Sequence, residues 1–137
     1  MLGSDVTTIK FSSKKYTSEQ LRKVFGEASV IYLGAGEPEI FTGVLRDLKI
    51  YDLFVELVRN SDALVVGSSA GAALLSEAYI DLSKSASQIK PGWGILKGIK
   101  IVPHYDGSKI PDNFIPIKNS EFIEIRMDDT GCRVVHN

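Results

Sequence analysis

Several things are scarce in this 137-residue chain, and each shortage removes a class of function. It has one cysteine, Cys132, so it can form no internal disulfide and no cysteine-rich metal site. It has two histidines, His104 and His136, so chemistry that needs an imidazole has few choices. No apolar run approaches the roughly 18 residues of a membrane-spanning helix. No basic start followed by an apolar stretch reads as a secretory signal. Neither sign of charge dominates: 16 Lys and Arg against 17 Asp and Glu leave a net charge of −1. That gives no electrostatic footprint for nucleic acid or an anionic membrane. What remains is the balance of an ordinary globular protein, 44% apolar and 24% charged. The expectation is one domain over residues 1–137 with one core, in the cytoplasm, with no cofactor and no metal.

The apolar pattern alternates between strands and helices. Residues 7–11 are β-branched and aromatic and read as a short strand. Thr17-Ser18-Glu19-Gln20 fits a capping box, with Leu21, Val24 and Phe25 behind it at helical spacing and Gly26 as a stop. Residues 28–33 form a near-continuous apolar run, as in a strand buried on both faces, and end at Gly34-Ala35-Gly36. Pro38, flanked by Glu37 and Glu39, starts a helix. Two apolar stripes follow, one from Ile40 to Leu48 and one from Tyr51 to Val58. Residues 63–66 are a second buried strand, running into Gly67-Ser68-Ser69-Ala70-Gly71. Residues 72–75 favour a helix. Residues 83–98 read as loop, residues 99–102 as a strand ended by Pro103-His104-Tyr105, and residues 112–119 as irregular. Residues 122–127 and 132–135 flank Asp128-Asp129-Thr130-Gly131, which reads as a C-terminal hairpin. This order predicts an α/β fold, a mainly parallel sheet flanked by helices.

Gly67-x-Ser69-x-Gly71 lies between a predicted strand and a predicted helix, the setting of a nucleophile elbow. The turn would lift a serine hydroxyl off the sheet beside free helix amides. Small residues here also simply let a helix pack close to a strand, and the tandem Ser68-Ser69 offers two hydroxyls. A nucleophilic serine needs a base. His136 reads as an exposed tail residue. His104 follows a strand, as Ser69 does, and sites on open α/β sheets gather at that edge. A loop histidine bonded locally, as to Asp106, is the other reading. Gly34-Ala35-Gly36 has amides for an oxyanion, or is only a tight turn. It is not a dinucleotide fingerprint, because Glu39 stands where the third glycine belongs.

Together, in this order, the three blocks resemble the serine peptidases of the aspartyl dipeptidase (dipeptidase E) and cyanophycinase group. The resemblance rests on Ile31-Tyr32-Leu33-Gly34-Ala35-Gly36-Glu37, on Gly67-Ser68-Ser69-Ala70-Gly71-Ala72 and on Pro103-His104-Tyr105, and covers about residues 5–135. It implies a fold similar to class I glutamine amidotransferases, with flavodoxin-like layers. It implies hydrolysis of small peptides, often after an aspartyl residue, through an acyl-enzyme on Ser69 with His104 as base. The oxyanion would be held by amides of Gly34, Ala35, Gly36 and Ala70.

Three departures from the family pattern stand out. The usual first strand is lacking, which predicts an exposed sheet edge and a homodimer through it. Ala35 and Glu37 replace glycine and asparagine in the first turn, and a carboxylate there opposes oxyanion charge. The acidic triad member is not evident: Lys118-Asn119 occupy its place, Glu121 is the nearest carboxylate and Glu124 the next, with Asp106 and Asp112 as substitutes. The alternative function is therefore a shortened, weakly active or inactive relative acting as a binding or assembly module. An α/β-hydrolase esterase fits less well, because its histidine follows the acid in chain order. An acidic acyl side chain would need a cation, for which Arg46, Arg126, Arg133, Lys90 and Lys97 are available. Trp93 reads either as a pocket wall or as cover for the core edge, and Cys132 as a packing residue.

Overall fold

The computed structural model describes residues 7–11, 14–84 and 88–136, without the side chain of His136. The chain runs α1 (Ser18–Glu27), β1 (Val30–Leu33), α2 (Pro38–Asp47), α3 (Tyr51–Arg59), β2 (Leu64–Gly67), α4 (Ala70–Leu75), β3 (Ser76–Ile80), β4 (Ile89–Pro91), β5 (Leu96–Pro103), β6 (Ile115–Ile117), β7 (Glu124–Asp128) and β8 (Gly131–His136). The α/β class is as expected. Helix α1 starts as its sequence dictates: Gln20 N donates to Thr17 Oγ1 at 3.1 Å, and Thr17 N donates to Gln20 Oε1 at 2.9 Å.

The expected single sheet is corrected, while the pairing outside the C-terminal hairpin is mainly parallel. Among the described residues β1 and β2 form a parallel pair of their own, Val30 beside Leu64 and Leu33 beside Gly67. A second, mixed sheet has the order β4-β3-β5-β6, and β7-β8 is a separate antiparallel hairpin. The mixing has a simple cause. The short return from Ile80 to Ile89 turns the chain back beside β3, so β4 must be antiparallel. Strands β5 and β6 then run parallel to β3 and to each other. Residues 83–98 are thus not all loop, and residues 112–119 carry strand β6. Strand β3 follows α4 directly, where the sequence pattern indicated only a helix.

Residues 7–11 form no strand. Their apolar side chains serve the core instead. Phe11 packs edge-on against Tyr16 and Phe54, and Ile9 and Phe11 lie against a cluster built on Leu21, Phe25, Leu33, Leu45, Phe54 and Trp93. High strand propensity means little without a neighbouring strand to complete the ladder. Trp93 belongs to this cluster, and its Nε1–H donates to Thr42 Oγ1 at 3.1 Å. A smaller cluster under β5 joins Tyr79, Ile99 and Ile101 to Ile125 and Cys132, so the hairpin packs on the mixed sheet.

Helix α4 ties the β1-β2 pair to the four-stranded sheet, touching β1, β2, β3 and β5. Its approach to β1 explains the small residues of its motif. A Cβ on Gly71 would overlap the Leu33 carbonyl, and one on Gly67 would sit 2.7 Å from the Ala72 amide nitrogen. Gly71→Ala is therefore expected to cost about 1–3 kcal/mol of stability, read as a lowered midpoint in thermal or urea unfolding. An unchanged midpoint would mean that α4 does not press on β1 as described.

Candidate active site

Three turns meet at the ends of three strands. The first follows β1 and holds Gly34, Ala35, Gly36 and Glu37. The second follows β2 and holds Ser68 and Ser69. The third follows β5 and holds His104. The turn after β2 is pinned to the one after β1: Ser68 N donates to Leu33 O at 2.9 Å, and Gly71 N donates to Gly34 O at 3.2 Å.

Ser69 takes φ 52° and ψ −108°, a conformation that side chains rarely adopt. His104 also has positive φ, 56°. These two strained residues face each other. Ser69 Oγ lies 2.7 Å from His104 Nε2. Of the two hydroxyls in Ser68-Ser69, it is that of Ser69 that meets the ring.

The other ring nitrogen has a partner too. His104 Nδ1 lies 2.6 Å from Asn119 Oδ1. An amide oxygen only accepts, so this contact suits the tautomer with the proton on Nδ1, the one that leaves an Nε2 lone pair toward Ser69. The register of β5 and β6 sets this contact. Pro103 stands beside Ile117, and Tyr105 N donates to Ile117 O at 3.0 Å. The residues just past Ile117 therefore pass His104. The alternating Ile115-Pro116-Ile117 was the signal for β6, obscured by a proline that an edge strand tolerates.

The carboxylates considered as third members lie elsewhere. Glu121 turns back on its own loop, where its Oε2 accepts from Lys118 N at 3.1 Å and its Oε1 is 3.9 Å from Lys118 Nζ. Glu124 pairs with Arg126 at 3.3 Å. Asp106 is held by Ser108, not by His104. Asp112 is exposed on its loop.

Ser69 and His104 open onto a cleft of about 310 Å³, a volume suited to a small ligand. Gly36, Ala70, Pro38 and Tyr79 also line it. Of the four residues expected to supply oxyanion amides, Gly36 and Ala70 reach this cleft. Gly34 and Ala35 are not among its lining, and Gly34 spends its carbonyl on Gly71. Ala70 is the first residue of α4, so its amide has no acceptor within the helix.

The cations named for an acidic substrate are all outside the lining. Arg46 lies over the Tyr51 ring, Arg126 pairs with Glu124 and Arg133 with Asp128. Lys90 pairs with Glu39, and Lys97 is exposed. Among the described residues no three His, Cys, Asp or Glu side chains converge as metal ligands. Among the described residues no helix is long and apolar enough to cross a membrane.

A hydroxyl on a strained turn, bonded to an imidazole whose far nitrogen is bonded to an acceptor, is an arrangement able to lose its proton to the ring. Comparison with known families agrees with that chemistry. The model of peptidase family S51 matches residues 1–132, nearly the whole chain. The chain belongs to peptidase family S51, the dipeptidase E family. No curated protein and no solved structure matches it. Membership makes this a peptidase-family chain of the serine type. In this S51 chain the residue beside His104 is a neutral amide.

Proposed function

We propose that this S51 chain hydrolyses small peptides through an acyl-enzyme on Ser69. The observation that carries the reading is the 2.7 Å contact between Ser69 Oγ and His104 Nε2 at the mouth of the cleft. In the first half-reaction Ser69 Oγ attacks the scissile carbonyl carbon, and its proton passes to His104 Nε2. The oxyanion that forms takes hydrogen bonds from the amides of Ala70 and Gly36. Collapse breaks the C–N bond, and His104 gives its proton to the departing amine. Water then attacks the ester, with His104 again as base, and releases the acid and Ser69. Asn119 is a positioning residue. It accepts from Nδ1–H, which holds the ring in the useful tautomer, but it has no charge to set against the imidazolium.

The test is labelling with a fluorophosphonate, followed by mapping of the modified peptide. The adduct is expected on Ser69. A folded protein left unlabelled at Ser69, with no turnover of dipeptides, would remove this reading.

Assembly is a second reading, with an observation of its own. Side chains alternate across β1 and β2, and the outward set is apolar and uncovered: Val30 56%, Tyr32 64%, Leu64 66% and Val66 38% exposed. Register places Val30 beside Leu64 and Tyr32 beside Val66, so the four form one patch. On this reading a second copy of the chain covers the patch, related by a two-fold axis so that like meets like. Sedimentation is expected to report a dimer in the micromolar range, and Tyr32→Lys with Leu64→Lys a monomer that still takes the fluorophosphonate. A wild-type protein that stays monomeric throughout that range would refute it.

A further inference from the structure

Charge is distributed unevenly around the cleft. Three carboxylates line it: Glu37 after β1, Asp81 after β3 and Asp106 after β5. No lysine or arginine is among the described residues that line it. Two lysines stand close by, and each is taken up by a glutamate. Lys84 Nζ is 3.4 Å from Glu37 Oε2, and Lys90 Nζ is 2.7 Å from Glu39 Oε1. Four carboxylates thus face two lysines, and the excess falls on Asp81 and Asp106.

Both aspartates are fixed in place. Asp81 Oδ1 accepts from Ser83 N at 2.9 Å and from Ser83 Oγ at 2.5 Å. Asp106 Oδ1 accepts from Ser108 N at 2.9 Å and from Ser108 Oγ at 2.5 Å. Burial works against ionisation of Asp81, but the Ser83 bonds, with Lys84 and Lys90, more than offset it and hold its carboxyl below the usual range. The Ser108 bonds do the same for Asp106. Tyr79, on the cleft wall, senses the same field. Its hydroxyl is pushed up first by burial, then by Glu39, with Lys90 opposing and Asp81 and Glu37 adding. A concave site walled by one sign of charge gathers ligands of the other sign.

Resting on the peptidase reading of this cleft, we infer that it takes peptides with a cationic nitrogen beside the scissile bond, and that Asp81 and Asp106 set this preference. The nitrogen is a lysyl or arginyl side chain or a free α-amino group. An aspartyl side chain in the same place meets the like charge of Asp81 and Asp106.

Binding to the Ser69→Ala protein tests this without any need for turnover. The probes are Lys-Ala, Ala-Ala and Asp-Ala amides, each with a free and an acetylated α-amino group, followed by calorimetry at low salt. Lys-Ala amide is expected to bind at least about tenfold more tightly than Asp-Ala amide, with the gap shrinking as salt rises from about 0.05 M to about 0.5 M. Adding Asp81→Asn and Asp106→Asn should remove most of the gap, because asparagine keeps the serine-anchored turns and deletes only charge. If acetylation weakens all three peptides alike, the α-amino group is the cation; if the lysyl preference stands within the acetylated series, the side chain is. Equal binding of all six peptides, free and acetylated alike, tighter binding of Asp-Ala amide, or no binding at all overturns the inference. So does a lysyl preference that persists in the doubly substituted protein. Fluorophosphonate labelling of wild type separates this from the catalytic reading. A labelled enzyme without charge preference sinks only the inference, whereas charge preference without labelling sinks only the hydrolase.

Discussion

Ser69→Ala is expected to lower kcat/KM for small peptides by about a thousandfold or more, while leaving the unfolding midpoint nearly unchanged. On the proposed mechanism Ser69 Oγ forms the acyl bond, so its removal leaves only the cleft and the proposed oxyanion amides to act. His104→Ala should cost about as much, because an unactivated hydroxyl is a poor nucleophile. The two changes together should cost little more than either alone, since the pair works as one unit. Initial rates on the single and double variants decide this. If His104→Ala keeps wild-type kcat/KM, the ring is a structural partner of Ser69 and the proton must go elsewhere. The strained backbone at Ser69 gives a further check. Relief of a positive φ stabilises a chain, so Ser69→Gly is expected to be at least as stable as wild type although inactive.

The second large effect concerns Asn119. Its oxygen lies 2.6 Å from His104 Nδ1, where peptidases of this type commonly carry a carboxylate. Asn119→Leu removes the acceptor and frees the ring to rotate or change tautomer, so kcat should fall by about a hundredfold with little change in KM. Asn119→Asp should do the opposite. A carboxylate stabilises the imidazolium formed when Ser69 gives up its proton, and kcat should rise by about tenfold or more. The sign of the pH effect follows. A negative charge beside the ring favours its protonated form, so the acid limb of the kcat/KM profile should move to higher pH in Asn119→Asp. Asn119→Gln offers a conservative comparison, since its longer side chain keeps the amide but shifts the oxygen. An Asn119→Leu protein with unchanged kcat and pH profile would show that the contact is incidental.

How far these residues were legible in the sequence varies with the range of the forces that place them. Thr17 and Gln20 could be read as a capping box because both bonds close within one turn. Gly67, Ser69 and Gly71 could be read as a strand-to-helix turn because small residues report close contact wherever they occur. Ser69 and His104 could be nominated as strand-end residues, one after β2 and one after β5. Asn119 came into view only through the family resemblance, which set Lys118-Asn119 where the acidic member belongs; that its side chain meets the ring depends on β6 pairing with β5, a matter of register between distant segments. Glu121 drew attention by its charge alone. In the folded chain its carboxylate finds nearer donors, the amide and ammonium of Lys118, and those short-range bonds win. The strand expected at residues 7–11 failed for a related reason: its aromatic and aliphatic side chains found a cluster to fill and no ladder to join.

By itself, then, the amino-acid order determined the local events: where helices begin, which stretches are apolar enough to be strands, where backbone must come close, and which hydroxyl and imidazole are on offer. Only the tertiary structure decided which of those groups meet. It split the strands among three sheets, used α4 to hold β1-β2 against the four-stranded sheet, brought Asn119 to the far side of the imidazole and walled the cleft with Asp81 and Asp106. Each of these depends on contacts between residues far apart in the chain, and such contacts are selected by the packing of the whole core, which no short window of sequence contains.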